Sequence, residues 1–193
     1  MSNEYKDWYN DLSEDQRVIY NICMDYPFLI PRNIEGNRDE KFDYQYLGLE
    51  IPDGWFNVFL QLCSDIKPVL EKEGLLDDFY FLQVKEKYNN LRCYTCNSNK
   101  EVDDIIYKYE SMSEYICTKC GAPATCFTDG YWASYCDECK EVVASRAKVE
   151  KIEFKPHVTI RSFGDNEEHT IYFEEEWNRY LKENGYDKRT EII

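Results

Sequence analysis

The sequence predicts an α+β fold: a helix-plus-β-hairpin core, an embedded Cys₄ finger of the treble-clef or zinc-ribbon kind, and a C-terminal β-hairpin followed by a helix. Three observations carry that expectation. Trp55, Phe59, Leu62, Ile66, Val69 and Leu70 recur at intervals of three or four, the period of an amphipathic helix. Strand-forming residues fill 79–84 and 91–95 on either side of a turn at Tyr88, Asn89 and Asn90. Two C-x-x-C couples, Cys117/Cys120 and Cys136/Cys139, stand fifteen residues apart, a spacing that closes a tetrahedral cage of thiolates around one Zn²⁺.

The remaining elements follow in chain order. Ser13 and Gln16 have the spacing of a capping box, opening a helix that stops before Pro27. Residues 27–50 are polar and broken by Pro31, Asn33, Gly36 and Asn37, with Phe42, Tyr44 and Tyr46 alternating as in a short strand. Asp53 reads as the N-cap of the second helix and Gly74 as its stop, with Pro68 expected to kink or shorten it. A third helix is expected over 103–112. Between the cysteine couples, residues 124–127 and 131–135 flank the turn signal Asp129-Gly130, and the second couple opens a helix, which favours a treble clef. Residues 152–160 alternate as a strand, 169–173 pair back, and a helix over 174–184 ends at Gly185. The chain thus divides into an acidic, tyrosine-rich helix and arm (1–50), a core (51–112), the finger (113–149) and a C-terminal hairpin and helix (150–193).

Charge limits the partners. The net charge is −15, and residues 1–50 carry eleven acids against five bases, whereas 51–100 carry seven against six. Such a chain repels phosphate backbones, so direct nucleic-acid binding is disfavoured. An acidic surface with seventeen tyrosines suits instead a basic groove on another protein, and Asp39, Glu40, Asp43, Tyr44 and Tyr46 are the candidate contacts. A locally positive patch of Lys85, Lys87 and Arg92, extended by Lys100, is the candidate anion site. No apolar run is long enough to cross a membrane and the N-terminus is polar, so the expectation is a cytoplasm whose nine cysteines serve metal rather than disulfides.

Four thiolates leave a zinc ion no open position, so one structural zinc is expected and not a catalytic one. Cys93 and Cys96 form a third couple, but residues three apart on a strand point to opposite faces and no glycine follows them. Cys23, Cys63 and Cys126 lie among apolar residues and read as core thiols. His157-Val-Thr159 has the form of one half of a two-histidine phosphodiester site, but His169 lacks the matching hydroxyl and stands too close in sequence. With no nucleophile triad or phosphate-cradling glycine loop, the expectation is a non-enzyme.

Residues 52–139 resemble a family of small uncharacterised bacteriophage and prophage proteins. The likeness runs through Gly54-Trp55, Leu62-Cys63, Asp65-Ile66, residues 83–88, Leu91-Arg92, Tyr94, Ser113, Cys117, Cys120 to Pro123, Gly130 to Trp132, Cys136 and Cys139. Similar members carry an aromatic at Cys93, and many have glycine at Asn89 or Asn90. The resemblance implies a phage origin and a zinc finger, and supplies no activity. Together with the charge, it suggests a phage-encoded accessory protein in the host cytoplasm. That protein would bind and inhibit a host protein, such as a nuclease or CRISPR effector. The alternatives are a zinc-finger nucleic-acid-binding module and a binder or hydrolase of nucleotide signals.

Overall fold

The computed structural model describes residues 9–32, 35–38, 42, 47–128, 132–143, 148–161 and 168–186. Helix α1 (Glu14–Asp25) begins at the expected capping box, in which Gln16 N–H donates to Ser13 Oγ and Ser13 N–H to Gln16 Oε1. A 3₁₀ turn at Pro27–Leu29 then drives Phe28 and Leu29 into the core.

The second helix differs from expectation at two of the three points where local rules were applied. Asp53 does not cap it; Asp53–Trp55 is a 3₁₀ turn, and α2 (Phe56–Glu73) starts after it without a side-chain cap. Pro68 does not end the helix. Ile66, Val69 and Leu70 are buried on both sides of it, and their burial outweighs one missing N–H. Gly74, at φ 70°, closes α2 as expected, with Leu75 N–H reaching back to Leu70 C=O.

Strands β2 (Tyr80–Glu86) and β3 (Leu91–Cys96) form the expected hairpin, with Lys85 opposite Arg92 and Val84 opposite Cys93. Lys87 and Asn90 exchange backbone hydrogen bonds around Tyr88 and Asn89, both at positive φ, the geometry of a type I′ turn. Sequence reasoning missed β1 (Leu49–Glu50), which adds parallel to β2 to give the order β1-β2-β3. Helix α3 (Lys100–Ser113) starts earlier than expected because Asn99 Oδ1 accepts from Val102 N–H. It buries Val102, Ile106, Tyr109 and Met112 against α2.

The finger follows. Strand β4 (Cys126–Thr128) pairs with β5 (Ser134–Tyr135), and α4 (Asp137–Val143) opens on the second cysteine couple, as expected. Of the strand expected over 152–160 only the later part forms, as β7 (His157–Arg161) after Pro156, and a separate, unforeseen β6 (Val149–Lys151) joins the free edge of β4. β7 pairs with β8 (Glu168–Tyr172), and α5 (Glu174–Glu183) buries Trp177, Tyr180 and Leu181. Trp55, Phe59, Phe79, Leu91, Tyr109, Met112, Phe173 and Tyr180 belong to one core, so elements from both ends of the chain share it. The fold is α+β, as the sequence predicts, and no helix among the described residues is long and apolar enough to cross a membrane.

Candidate metal centre

The two couples converge. The Sγ atoms of Cys117, Cys120, Cys136 and Cys139 all lie within 4.8 Å of one another, and those of Cys120 and Cys136 are 3.6 Å apart. Four sulfurs at ~2.3 Å from a common tetrahedral centre stand about 3.8 Å from each other, so this donor set fits one metal ion with little adjustment. Among the described residues no other group of three or more His, Cys, Asp or Glu side chains converges in this way.

Local sequence builds the cage. Gly121, at φ 78°, turns the chain after Cys120, and its N–H bonds Cys117 C=O while Cys117 N–H bonds Ala122 C=O. The turn aims backbone N–H groups at sulfur. Burial pushes the Cys117 thiol up, but N–H groups of Cys136, Cys120 and Lys119 more than offset this, leaving it below the usual cysteine range. Burial holds Cys120 and Cys139 above that range, and contacts with the Cys117 and Cys136 side chains add to it. Of these three thiols Cys117 gives up its proton most readily, and a bound cation would draw the thiolate form from Cys120 and Cys139.

Remote elements clamp the knuckle. Gly54 N–H donates to Thr118 C=O, and a Cβ at Gly54 would stand 2.1 Å from Cys117 carbonyl oxygen. Trp55 Nε1–H donates to Ile116 C=O, and Tyr180 hydroxyl donates to Gly121 C=O at 2.7 Å. From the hairpin turn, buried Asn89 gives its amide N–H to Ser134 Oγ and accepts from Ser134 N–H at 2.8 Å. These contacts were not foreseen. Their one sequence signal is the small or turn-forming residue type at three separate positions, Gly54, Asn89 and Ser134, where segments come close to one another.

Cys93 and Cys96 stand apart from the cage: Cys93 lies in β3 beside Glu110, and burial drives its thiol well above the usual range. Cys23 and Cys63 are fully buried core thiols, the former pushed up to about 12 by burial. His157 and His169 lie on opposite faces of their hairpin. His157 is opposite Tyr172, whereas His169 is opposite Ile160, three positions along, so the imidazoles cannot act as a facing pair.

The basic candidates are each engaged. Arg92 pairs at 3.1 Å with Glu110, which also accepts from Cys93 N–H. Lys85 Nζ lies 5.3 Å from the Tyr94 ring centroid and Lys87, just beyond the end of β2, 5.6 Å from that of Tyr88. Lys100 pairs with Asp104 at 2.6 Å. Asp39, Glu40, Asp43, Tyr44 and Tyr46 lie outside the described residues. Comparison with family models, with curated proteins and with solved structures finds no match to this chain.

Proposed function

We propose that this protein is a zinc-stabilised, acidic binding protein that engages a basic groove on another protein. Four sulfur donors suit Zn²⁺ above other common divalent ions, and a closed Cys₄ set leaves no position for a substrate, so the metal serves the scaffold. The observation that carries the binding reading is the fate of the cations. At a net charge of −15, Arg92, Lys100, Lys108 and Arg179 each face a carboxylate of the chain itself. With 38 acidic against 23 basic residues, carboxylates outnumber the cations that could neutralise them, and the excess sets the field at the surface. Grooves of the opposite sign are common in proteins that handle nucleic acid, and a nuclease or CRISPR effector of a phage host is the most concrete partner. The phage likeness of residues 52–139 supports that setting.

The test is retention from host extract, with and without nuclease treatment, on the immobilised, zinc-loaded chain, at low and high salt. A basic protein held at low ionic strength and released at high is the expected result. Retention indifferent to salt overturns the electrostatic reading. Recovery of nucleic acid alone, lost in a Lys85→Glu/Arg92→Glu variant, transfers the function to a nucleic-acid-binding finger.

A further inference from the structure

A groove of about 790 Å³ lies between β3, α3 and the β7–β8 hairpin. Its two long walls are strands. Residues 92–95 of β3 form one, and residues 158–160 of β7 form the other, with no β8 residue contributing. Among the described residues both strands end their sheets: β3 is outermost in the order β1-β2-β3, and β7 pairs only with β8. Along the floor run Asp103, Ile106, Tyr107, Glu110 and Glu114 of α3 and the residue that follows it, one helical stripe. Eleven steps of 1.5 Å give that stripe a length of roughly 16 Å. An extended chain rising 3.3 Å per residue fits about five residues into it.

The two walls are chemically unlike. On β3 the outward N–H groups of Leu91 and Cys93 are already taken, by Ser113 Oγ at 2.8 Å and Glu110 Oε1 at 2.8 Å. α3 therefore shields that edge against a further strand, as sheet proteins commonly do. On β7 a two-stranded ladder leaves alternate N–H and C=O groups directed away from β8 and toward the groove. The rim adds apolar surface, with Leu82 61%, Tyr94 42% and Tyr107 42% exposed. The lining holds three acids, Asp103, Glu110 and Glu114, against one base, Arg92, so it is acidic.

We infer that this groove binds an extended, basic segment of a partner protein, which adds as a strand to the free edge of β7 and sets Lys or Arg side chains over α3. The inference rests on the acidic-binder reading above and gives that reading a contact site. Strand addition supplies affinity through the main chain, and alternate side chains read the floor. The net negative lining selects cationic side chains, and the tyrosines at the rim take their stems or their charge.

The experiment screens a bead-bound library of random acetylated pentapeptides against the zinc-loaded full-length chain. Selected peptides should carry Lys or Arg at alternate positions and shift the backbone amide resonances of Val158, Thr159 and Ile160. Methylation of their backbone nitrogens should abolish binding, and Asp103→Lys/Glu114→Lys should weaken it about tenfold. Trp132→Ala, on the finger and remote from this lining, should leave it unchanged. Asp103 is half-buried and Glu114 and Trp132 are exposed, and unaltered melting temperatures will show that the variants fold. Selected peptides that tolerate N-methylation, or that bind the charge-reversed variant equally, overturn strand addition in this groove. If no basic peptide is selected while extract proteins are still retained in a salt-sensitive manner, the groove assignment falls and the acidic-binder reading stands. Failure of both removes both.

Discussion

Glu110 is the residue at which charge and burial conflict most directly. Only 7% of it is exposed, and burial raises its carboxyl above the ordinary range, against the opposing pull of Cys93 N–H and Arg92. Glu114, one turn on, is raised for the same first reason, with the Asn90 amide working against it. An acid whose pKa is higher in the folded chain holds its proton more tightly there. Its contribution therefore favours folding at low pH and is lost as pH climbs from the usual carboxylate range through the raised value. Glu110→Gln keeps one acceptor and removes the titration. Urea unfolding across the interval just above pH 4.5 should show a shallower fall in stability for this variant than for the parent chain. Equal slopes would place the conflict elsewhere.

At the scale of elements, the contact between the start of α2 and the metal knuckle gives the sharpest prediction. A Cβ on Gly54 meets backbone atoms on three sides, the nearest at 2.1 Å, and backbone cannot swing away as a side-chain tip can. Gly54→Ala should cost about 3 kcal/mol or more and loosen metal retention. Gly74→Ala is the control. That glycine also has positive φ but nothing within 4 Å, so only the left-handed backbone penalty of about 1–2 kcal/mol applies. Thermal melts and metal release under a chelator measure both. The same comparison shows what was legible in the sequence. The capping box at Ser13, the hairpin around Asn89 and the four cysteines announce themselves because each depends on residues a few positions apart. The short parallel strand β1, the joining of β6 to β4 and the uninterrupted passage of α2 through Pro68 depend on partners far along the chain. No local pattern encodes them. Asn89 stands between the two cases: its turn was readable, but its grip on Ser134 was not.

At the scale of the whole molecule, the metal centre and the core are one structure. The knuckle receives hydrogen bonds from Trp55 and Tyr180, two of the largest fully buried side chains. Removing the ion should therefore disturb far more than a forty-residue finger. Chelation, or Cys117→Ser/Cys136→Ser, is expected to abolish one-to-one zinc binding. It should also change the near-ultraviolet circular dichroism of the core aromatics and lower the melting temperature steeply. The coupled folding energy at stake is about 10 kcal/mol or more. A chain that loses zinc yet keeps its aromatic signal and cooperative melt would show the finger to be an appendage.

The bond from Tyr180 to Gly121 also has a meaning in time. A ribosome delivers Cys117 to Cys139 well before it delivers α5, at about 5–20 residues per second. During that interval the nascent chain has every ligand the ion needs and lacks the tyrosine that braces the loop carrying two of them. Metal caught then is open to exchange, and translation of the last helix makes its residence long. A message cut short before Tyr180 would yield a protein that picks up zinc and gives it back.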